Sequence, residues 1–275
     1  MKRFIGCVVL LVIAAVIFYK NPYTMHDVLQ QEPTLKFLFG TDGYGRDVFS
    51  RIVVGTFYSV SIALTAACIA TILGVSIGLA AACLPKMLSE MLLNVIDLLN
   101  SLPSILYILV ASAFVEPGIW QLAIIIGCAS WMTIARTVRM LVFAEKEQMY
   151  VKFAKEYKTT IIYRIRRYYL PVVRPVIGVL IINEWVHAIL TEATISFLGL
   201  GLPTHTPTLG NLLLDAQNHL LLGYWWNVLF PGAALALLVL TVYQVKERGE
   251  FGDKGRSIKH FYSRRKLSSK YETID

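Results

Sequence analysis

Residues 191–223 read TEATISFLGLGLPTHTPTLGNLLLDAQNHLLLG, an acid at the end of an apolar run followed by a glycine- and proline-rich segment without a lysine or arginine. The chain as a whole carries a formal net charge of +8. A cation-free stretch in a basic chain is a topology signal, because loops poor in Lys and Arg are translocated and loops rich in them stay inside. The runs on either side, 172–195 and 225–245, are apolar enough and long enough to span a bilayer. Of 275 residues, 56% are hydrophobic and 16% charged, where a soluble domain carries about a quarter charged. The missing charge is concentrated in blocks of about twenty residues, the mark of transmembrane helices.

The expected fold is therefore an all-α integral membrane protein with six transmembrane helices, over 4–19, 56–82, 91–115, 119–143, 172–195 and 225–245. The first run follows Lys2 and Arg3 and ends in VIFYKNP with no small-x-small cleavage site, so an uncleaved signal anchor is expected. At 1.5 Å per residue it spans about 24 Å. In the third, Pro103 is expected to kink the helix. In the second, Gly74 and Gly78 stand four apart, a spacing that lets helices approach closely. The organisation read from this is a single membrane domain over 1–245, with the short first helix 4–19, an external segment 20–55 and a five-helix core 56–245. A basic cytoplasmic tail, 246–275, follows.

Between Arg136 and Arg174 there are ten basic and three acidic residues, and from Lys246 onward nine basic and five acidic. The loop 144–171 and both termini are thus expected in the cytoplasm and 191–223 outside. Anionic lipid and this bias account for the positive charge without nucleic acid. Cys7, Cys68, Cys83 and Cys128 lie in apolar segments, form no C-x-x-C pair and have no histidine neighbour, so neither a disulfide nor a metal site is inferred. His205 and His219, fourteen apart with no third ligand, do not make a metal site either.

The loop 144–171 carries chemistry of another kind. MYVKFAKEY, residues 149–157, places Met149, Phe153 and either Glu156 or Tyr157 on one helical face. IIYRIRRYY, residues 161–169, adds a second amphipathic turn or two before Leu170 and Pro171. Such a helix–turn–helix fits two roles, resting on headgroups as an interfacial helix or docking in a partner's groove. Inside the fifth span, NEWVHAILTEA places Glu184 and His187 at i,i+3 and Glu192 near the same stripe. Ionisable groups within a span default to a functional hypothesis. Three readings stand: a structural pair or a pair with a partner helix, a cargo lining, or a proton relay. Glu192 is expected to accept backbone N–H bonds at the start of the glycine-rich loop. There Gly199, Gly201 and Gly210 permit tight backbone while Pro203 and Pro207 stop a helix, giving a re-entrant or surface segment at the outer mouth. No G-x-x-x-x-G-K-[ST] occurs, so nothing in the chain cradles ATP. H-E-x-x-H and paired aspartates on facing helices are also absent, which speaks against a membrane-embedded enzyme.

Four separated pieces resemble the C-type permease subunits of bacterial ABC importers in the dipeptide, oligopeptide and nickel group. FGTDGYGRDVFSRIVVG (39–55) is similar to that family's LGTDxxGRDxxSRxxxG. ARTVRMLV (135–142), with Arg136 and Arg139 at the cytoplasmic end of the fourth helix, is similar to ARxVRxxxL. Residues 150–171 occupy the position of the family's coupling loop, and TEATISFLGLGLPTHTPTLGNLL (191–213) is similar to xEAxLSFLGLGxxxPxPxWGxML. The coupling loop departs from the pattern: Lys158 stands where glycine is usual, Phe153 where alanine is, and Val172 where asparagine follows Leu-Pro. A lysine kept at positive φ costs about 1 kcal/mol against glycine.

The resemblance implies half of a translocation pathway, completed by a second homologous permease in the bacterial inner membrane. Two cytoplasmic ATPases would engage a coupling loop comprising Tyr150, Phe153, Ala154, Lys155, Glu156, Lys158 and Thr159, and an external solute-binding protein would deliver cargo. ATP and Mg would sit on the partner ATPases, with no cofactor on this chain. Cargo stays open between small peptides and nickel or cobalt chelates. The alternative is a proton-coupled secondary transporter using Glu184, His187 and Glu192. Such a carrier usually shows repeated six-helix halves and further buried acids, of which this chain offers Asp97 and Glu90.

Overall fold

The computed structural model describes residues 19–245, and every regular element among them is helical. The expected first span, apart from Tyr19, and the tail 246–275 lie outside the described residues. Helix α1, Val48–Cys83, runs for 36 residues, or about 54 Å, against an apolar layer of about 30 Å. Asp47 starts it: its carboxylate accepts from the Ser50 amide at 2.9 Å and from the Ser50 hydroxyl at 2.5 Å, satisfying donors that the first turn leaves open. The helix thus begins eight residues before the expected span, inside what was read as an external segment.

The expected third span is broken. Helix α2, Lys86–Asn100, and helix α3, Ser104–Phe114, meet at 80°. Pro103 ends up as the residue preceding α3, where its ring restricts Leu102 to non-helical backbone, so the proline separates two helices instead of bending one. Helix α4, Ile119–Lys146, matches the expected fourth span with one further turn. Helix α5 is Met149–Glu156. Helix α6, Ile161–Phe197, is a 37-residue column that joins the second amphipathic stretch to the fifth span. Helix α7 is Leu209–Leu220 and α8 is Trp226–Val245.

The join in α6 corrects the expected helix–turn–helix, whose second limb is the beginning of the long helix. Pro171 does not interrupt it because residues Ile165–Tyr169 form a π turn. Widening the helix by one residue just before a proline relieves the clash and the lost N–H bond that would otherwise break it. Among the described residues, α1, α4, α6 and α8 are each long and apolar enough to cross a membrane. The bent pair α2–α3 adds a fifth crossing if its halves count as one.

Helices α1 and α4 form the central pair, and the two glycines of α1 are why they sit so close. A Cβ on Gly74 would lie 2.5 Å from Ile134 Cβ, and one on Gly78 would lie 2.6 Å from the Ala135 carbonyl oxygen. Two apolar cores follow along this pair. One gathers Ile62, Ala66, Ile126, Ile189 and Ile195 where α6 joins it. The other gathers Ala82, Val138, Val142, Val151, Tyr169 and Val173 and seats α5 against the helix ends. At the opposite end, Val48, Ile52, Leu209 and Leu212 pack α7 on α1, with Phe39 and Phe230 stacked at 4.0 Å beside them.

Candidate functional site

At the α7 end, four charged side chains from distant segments converge. Arg46 Nε lies 2.6 Å from Asp42 Oδ2 and Arg46 Nη2 lies 3.1 Å from Asp215 Oδ2. Arg51 reaches the same two acids at 3.7 and 3.3 Å. The Arg51 side chain is fully buried, so two cations and two carboxylates neutralise one another away from water, the condition under which buried charge is tolerated. Burial pushes the Asp215 carboxyl above its usual range, and the Arg51 and Arg46 guanidinium groups oppose that. Asp42 is itself fixed by the amides of Tyr44 and Arg46, each 2.9 Å from its Oδ1. The turn needs Gly45 at φ 72°, since a Cβ there would meet the His26 carbonyl oxygen at 2.2 Å. Sequence reasoning singled out none of Asp42, Arg46, Asp47, Arg51 or Asp215 as a site residue. The signal lay in the GTDGYGRDVFSR block, which sets two aspartates and two arginines beside the start of a span.

Glu192 sits at a three-helix junction. It is fully buried, its Oε1 accepts from Ser196 Oγ at 2.9 Å, and the hydroxyls of Ser59 and Thr208 are its other neighbours. Those two hydroxyls in turn accept from the first turn of α7: Leu209 N–H to Ser59 Oγ at 3.2 Å and Asn211 N–H to Thr208 Oγ1 at 3.1 Å. The expectation of direct backbone donors is corrected. The carboxyl acts through hydroxyls, which leaves it one bond removed from the positive end of a helix dipole.

The glycine-rich segment folds back over α6. Gly199 adopts φ 79° just past the helix end. A Cβ on Gly201 would lie 2.2 Å from Ser196 Oγ, and one on Gly210 would lie 2.6 Å from the Ala193 carbonyl oxygen. Asn211 Nδ2 donates to the carbonyls of Leu202, Pro203 and Thr206 at 3.1, 3.1 and 3.0 Å, stapling the loop that contains Pro203 and the buried Pro207. Asn211 had no place in the sequence reading. His205 is exposed in this loop, whereas His219 Nδ1 lies 2.7 Å from Gln30 Nε2. Among the described residues no group of three or more His, Cys, Asp or Glu is arranged to hold a metal ion.

Glu184 and His187 form an i,i+3 pair, Nδ1 to Oε1 3.4 Å, with the acid buried and about half of the histidine side chain exposed. Glu192 does not join them.

At the α5 end, Arg139 Nε donates to Ser89 Oγ at 2.8 Å and its guanidinium lies 4.2 Å from the Phe143 ring centroid. Arg136 forms an ion pair with Asp97, so both arginines tie α2 to α4. Helix α5 buries Val151 and Ala154 and leaves Met149, Tyr150, Phe153, Lys155, Glu156 and Tyr157 exposed. It closes with the Thr159 amide donating to the Ala154 carbonyl at 3.2 Å and the Lys158 amide to the Lys155 carbonyl at 3.0 Å. That is the paired bonding of a Schellman cap, which requires a left-handed residue between. Lys158 supplies it at φ 51°, so the backbone shape expected of glycine is kept by a lysine. Thr159 Oγ1 adds a bond to the same Ala154 carbonyl at 2.7 Å.

Residues 70–248 match the family described as binding-protein-dependent transport system inner membrane component. A protein of Brucella suis biovar 1 provisionally named a peptide permease is 31% identical over 226 residues, covering 80% of this chain and 75% of that one. A second Brucella suis protein, provisionally named a peptide transport system permease, is 34% identical over 212 residues, covering 77% and 71%. A probable peptide ABC transporter permease of Sinorhizobium fredii is 33% identical over 234 residues, covering 85% and 80%. A chain in the crystal structure of an amino acid ABC transporter with histidines shares the fold, with TM-score 0.52 at 14% identity over 72% of this chain and 91% of that one. The chain belongs to the inner-membrane permease components of binding-protein-dependent ABC importers.

Proposed function

We propose that this chain forms half of the translocation pathway of a peptide importer, with both termini in the cytoplasm and a second, homologous permease completing the pathway. The observation that carries the coupling role is the exposed face of α5. Met149, Phe153 and Tyr157 stand open on a short helix anchored from beneath by Val151 and Ala154. An apolar and aromatic helix face on a rigid seat is the shape that a partner's groove receives, and here the partner is a cytoplasmic ATPase that supplies ATP and Mg. The names of the relatives favour small peptides as cargo over nickel or cobalt chelates. Family membership does not favour the proton-coupled carrier, and Asp97, one of the acids a relay would recruit, is held by Arg136.

For Glu184 and His187, the half-exposed imidazole beside a buried acid supports a polar contact with the second permease or with cargo in the pathway between the two subunits. The outer loop of 198–208, held by Asn211, would then form part of the mouth that receives cargo from an external binding protein.

Co-purification tests the reading. The chain is expressed with its neighbouring permease and ATPase genes, and ATP hydrolysis is measured in liposomes with peptide-loaded binding protein. Stimulated hydrolysis that Phe153→Ala lowers about ten-fold supports coupling through α5; a loss near 1.4 kcal/mol corresponds to that factor. Hydrolysis indifferent to Phe153→Ala and Tyr157→Ala would sink it.

A further inference from the structure

Between α5 and the ends of the long helices lies an open cavity of about 530 Å3. Five cations line it: Lys86 where α2 starts, Lys146 where α4 ends, Lys152 and Lys155 on α5, and Arg164 in the first turn of α6. One acid, Glu147, stands among them, and its carboxyl is held below the usual range by a hydrogen bond from Lys152.

Internal partners account for part of this charge. Lys152 Nζ lies 2.8 Å from Glu147 Oε2, Lys86 Nζ lies 3.9 Å from Glu90 Oε1, and Lys146 donates to the Ala82 carbonyl. Lys155 and Arg164, both lining the cavity, have no ion-pair partner among the described residues. An unpaired guanidinium and an unpaired ammonium on one cavity are the groups that an oxyanion satisfies with charge-assisted bonds. Spanning a guanidinium and several ammonium groups takes an anion with oxygens in more than one direction, which a phosphate provides and a lone carboxylate does not. The cavity's place at the helix ends adds to this. It opens where α1 ends at Cys83 and α4 at Lys146, and Leu84, Phe143 and Val151 form an apolar wall beside the cations. Basic pockets at the ends of spanning helices, with apolar surface on the membrane side, fit anionic lipid headgroups.

We propose that this cavity is a binding site for a phosphate-bearing anion, held chiefly by Arg164 and Lys155 with Lys146 behind them. The same chemistry is offered by an anionic phospholipid headgroup and by free phosphate, and neither source requires an ATPase on α5.

The test uses the full chain in phosphatidylcholine nanodiscs doped with phosphatidylglycerol, with retained lipid counted by native mass spectrometry. In parallel, thermal unfolding is followed in inorganic phosphate against chloride at matched ionic strength. Each of these two cations removed from the cavity is expected to weaken binding about five-fold, so the double variant Lys155→Gln, Arg164→Gln should retain about twenty-five-fold less phosphatidylglycerol. Arg166→Gln removes an exposed cation of the same segment outside the cavity and should change retention less than about two-fold. Arg164→Lys keeps the charge and guards against a folding artefact, because it should restore most of the retention. A phosphate-specific rise in melting temperature that the double variant loses, without lipid retention, assigns the site to free phosphate and still supports it. If neither ligand distinguishes wild type from the double variant, or if Arg166→Gln loses as much as Arg164→Gln, the site does not exist.

Discussion

Arg51 and Asp215, 164 residues apart in the chain, meet at 3.3 Å inside the α7 end of the bundle. Arg51 exposes none of its side chain and Asp215 also serves Arg46. A buried pair adds little over apolar packing, but removing one member strands the other. Asp215→Asn should therefore cost about 3–5 kcal/mol, read as a lower melting temperature of the detergent-purified chain. The double change Arg51→Met, Asp215→Leu should recover much of that loss. A melting temperature unchanged in Asp215→Asn would mean that the cluster is hydrated.

Glu192 should respond differently to two substitutions. Glu192→Gln keeps an acceptor for the Ser196 hydroxyl and should cost about 1 kcal/mol, the net worth of one hydrogen bond. Glu192→Ala opens a cavity and leaves the Ser196 hydroxyl without its acceptor beside those of Ser59 and Thr208, for about 3 kcal/mol or more. Limited proteolysis of the loop 198–208 reads the difference, because that loop hangs on α7 and α7 starts on those hydroxyls. Equal cleavage of both variants would show that the carboxyl does not organise the junction.

Lys158→Gly should stabilise the α5 turn by about 1 kcal/mol, since glycine takes positive φ without the Cβ contact that lysine bears. Lys158→Val should destabilise it by a comparable amount. Hydrogen exchange at the Lys158 and Thr159 amides, the two donors of the cap, measures both. Slower exchange in the valine variant than in the glycine variant would contradict the assignment.

Two glycines make an internal comparison. Gly74→Ala pushes a Cβ into Ile134 and should cost about 1–3 kcal/mol through overpacking of α1 on α4. Gly178→Ala meets nothing within 4 Å and should be neutral or gain about 0.5–1 kcal/mol by stiffening the unfolded chain. Melting temperatures of the purified variants decide it, and a Gly74→Ala chain as stable as Gly178→Ala would show that the helices can separate freely.

What the sequence made legible was whatever depends on short range. The apolar lengths of α4 and α8 and the four-residue spacing of Gly74 and Gly78 are local properties. What it hid depends on partners far along the chain. Residues 48–55 look too polar for a span because Ser50 and Arg51 are there, yet the helix begins at Val48, since Arg51 finds Asp215 and Ser50 finds Asp47. Pro171 looked like a boundary and is absorbed by the π turn ahead of it, whereas Pro103 looked like a kink and became a break. Glu192 reads as an anchor and Ser196 stands one turn from it, but the hydroxyls of Ser59 and Thr208 come from α1 and from the start of α7, and nothing near Glu192 in sequence names them.

The uninterrupted course of α6 has a mechanical meaning. Its 37 residues make a lever arm about 55 Å long, with one tip at the cap formed around Lys158 and the other at the Glu192 junction. A tilt of about 10° about one tip carries the other through an arc of about 10 Å, by the length of the arm alone. Whatever tilts α6 at its α5 end therefore displaces the Glu192 junction at the other end.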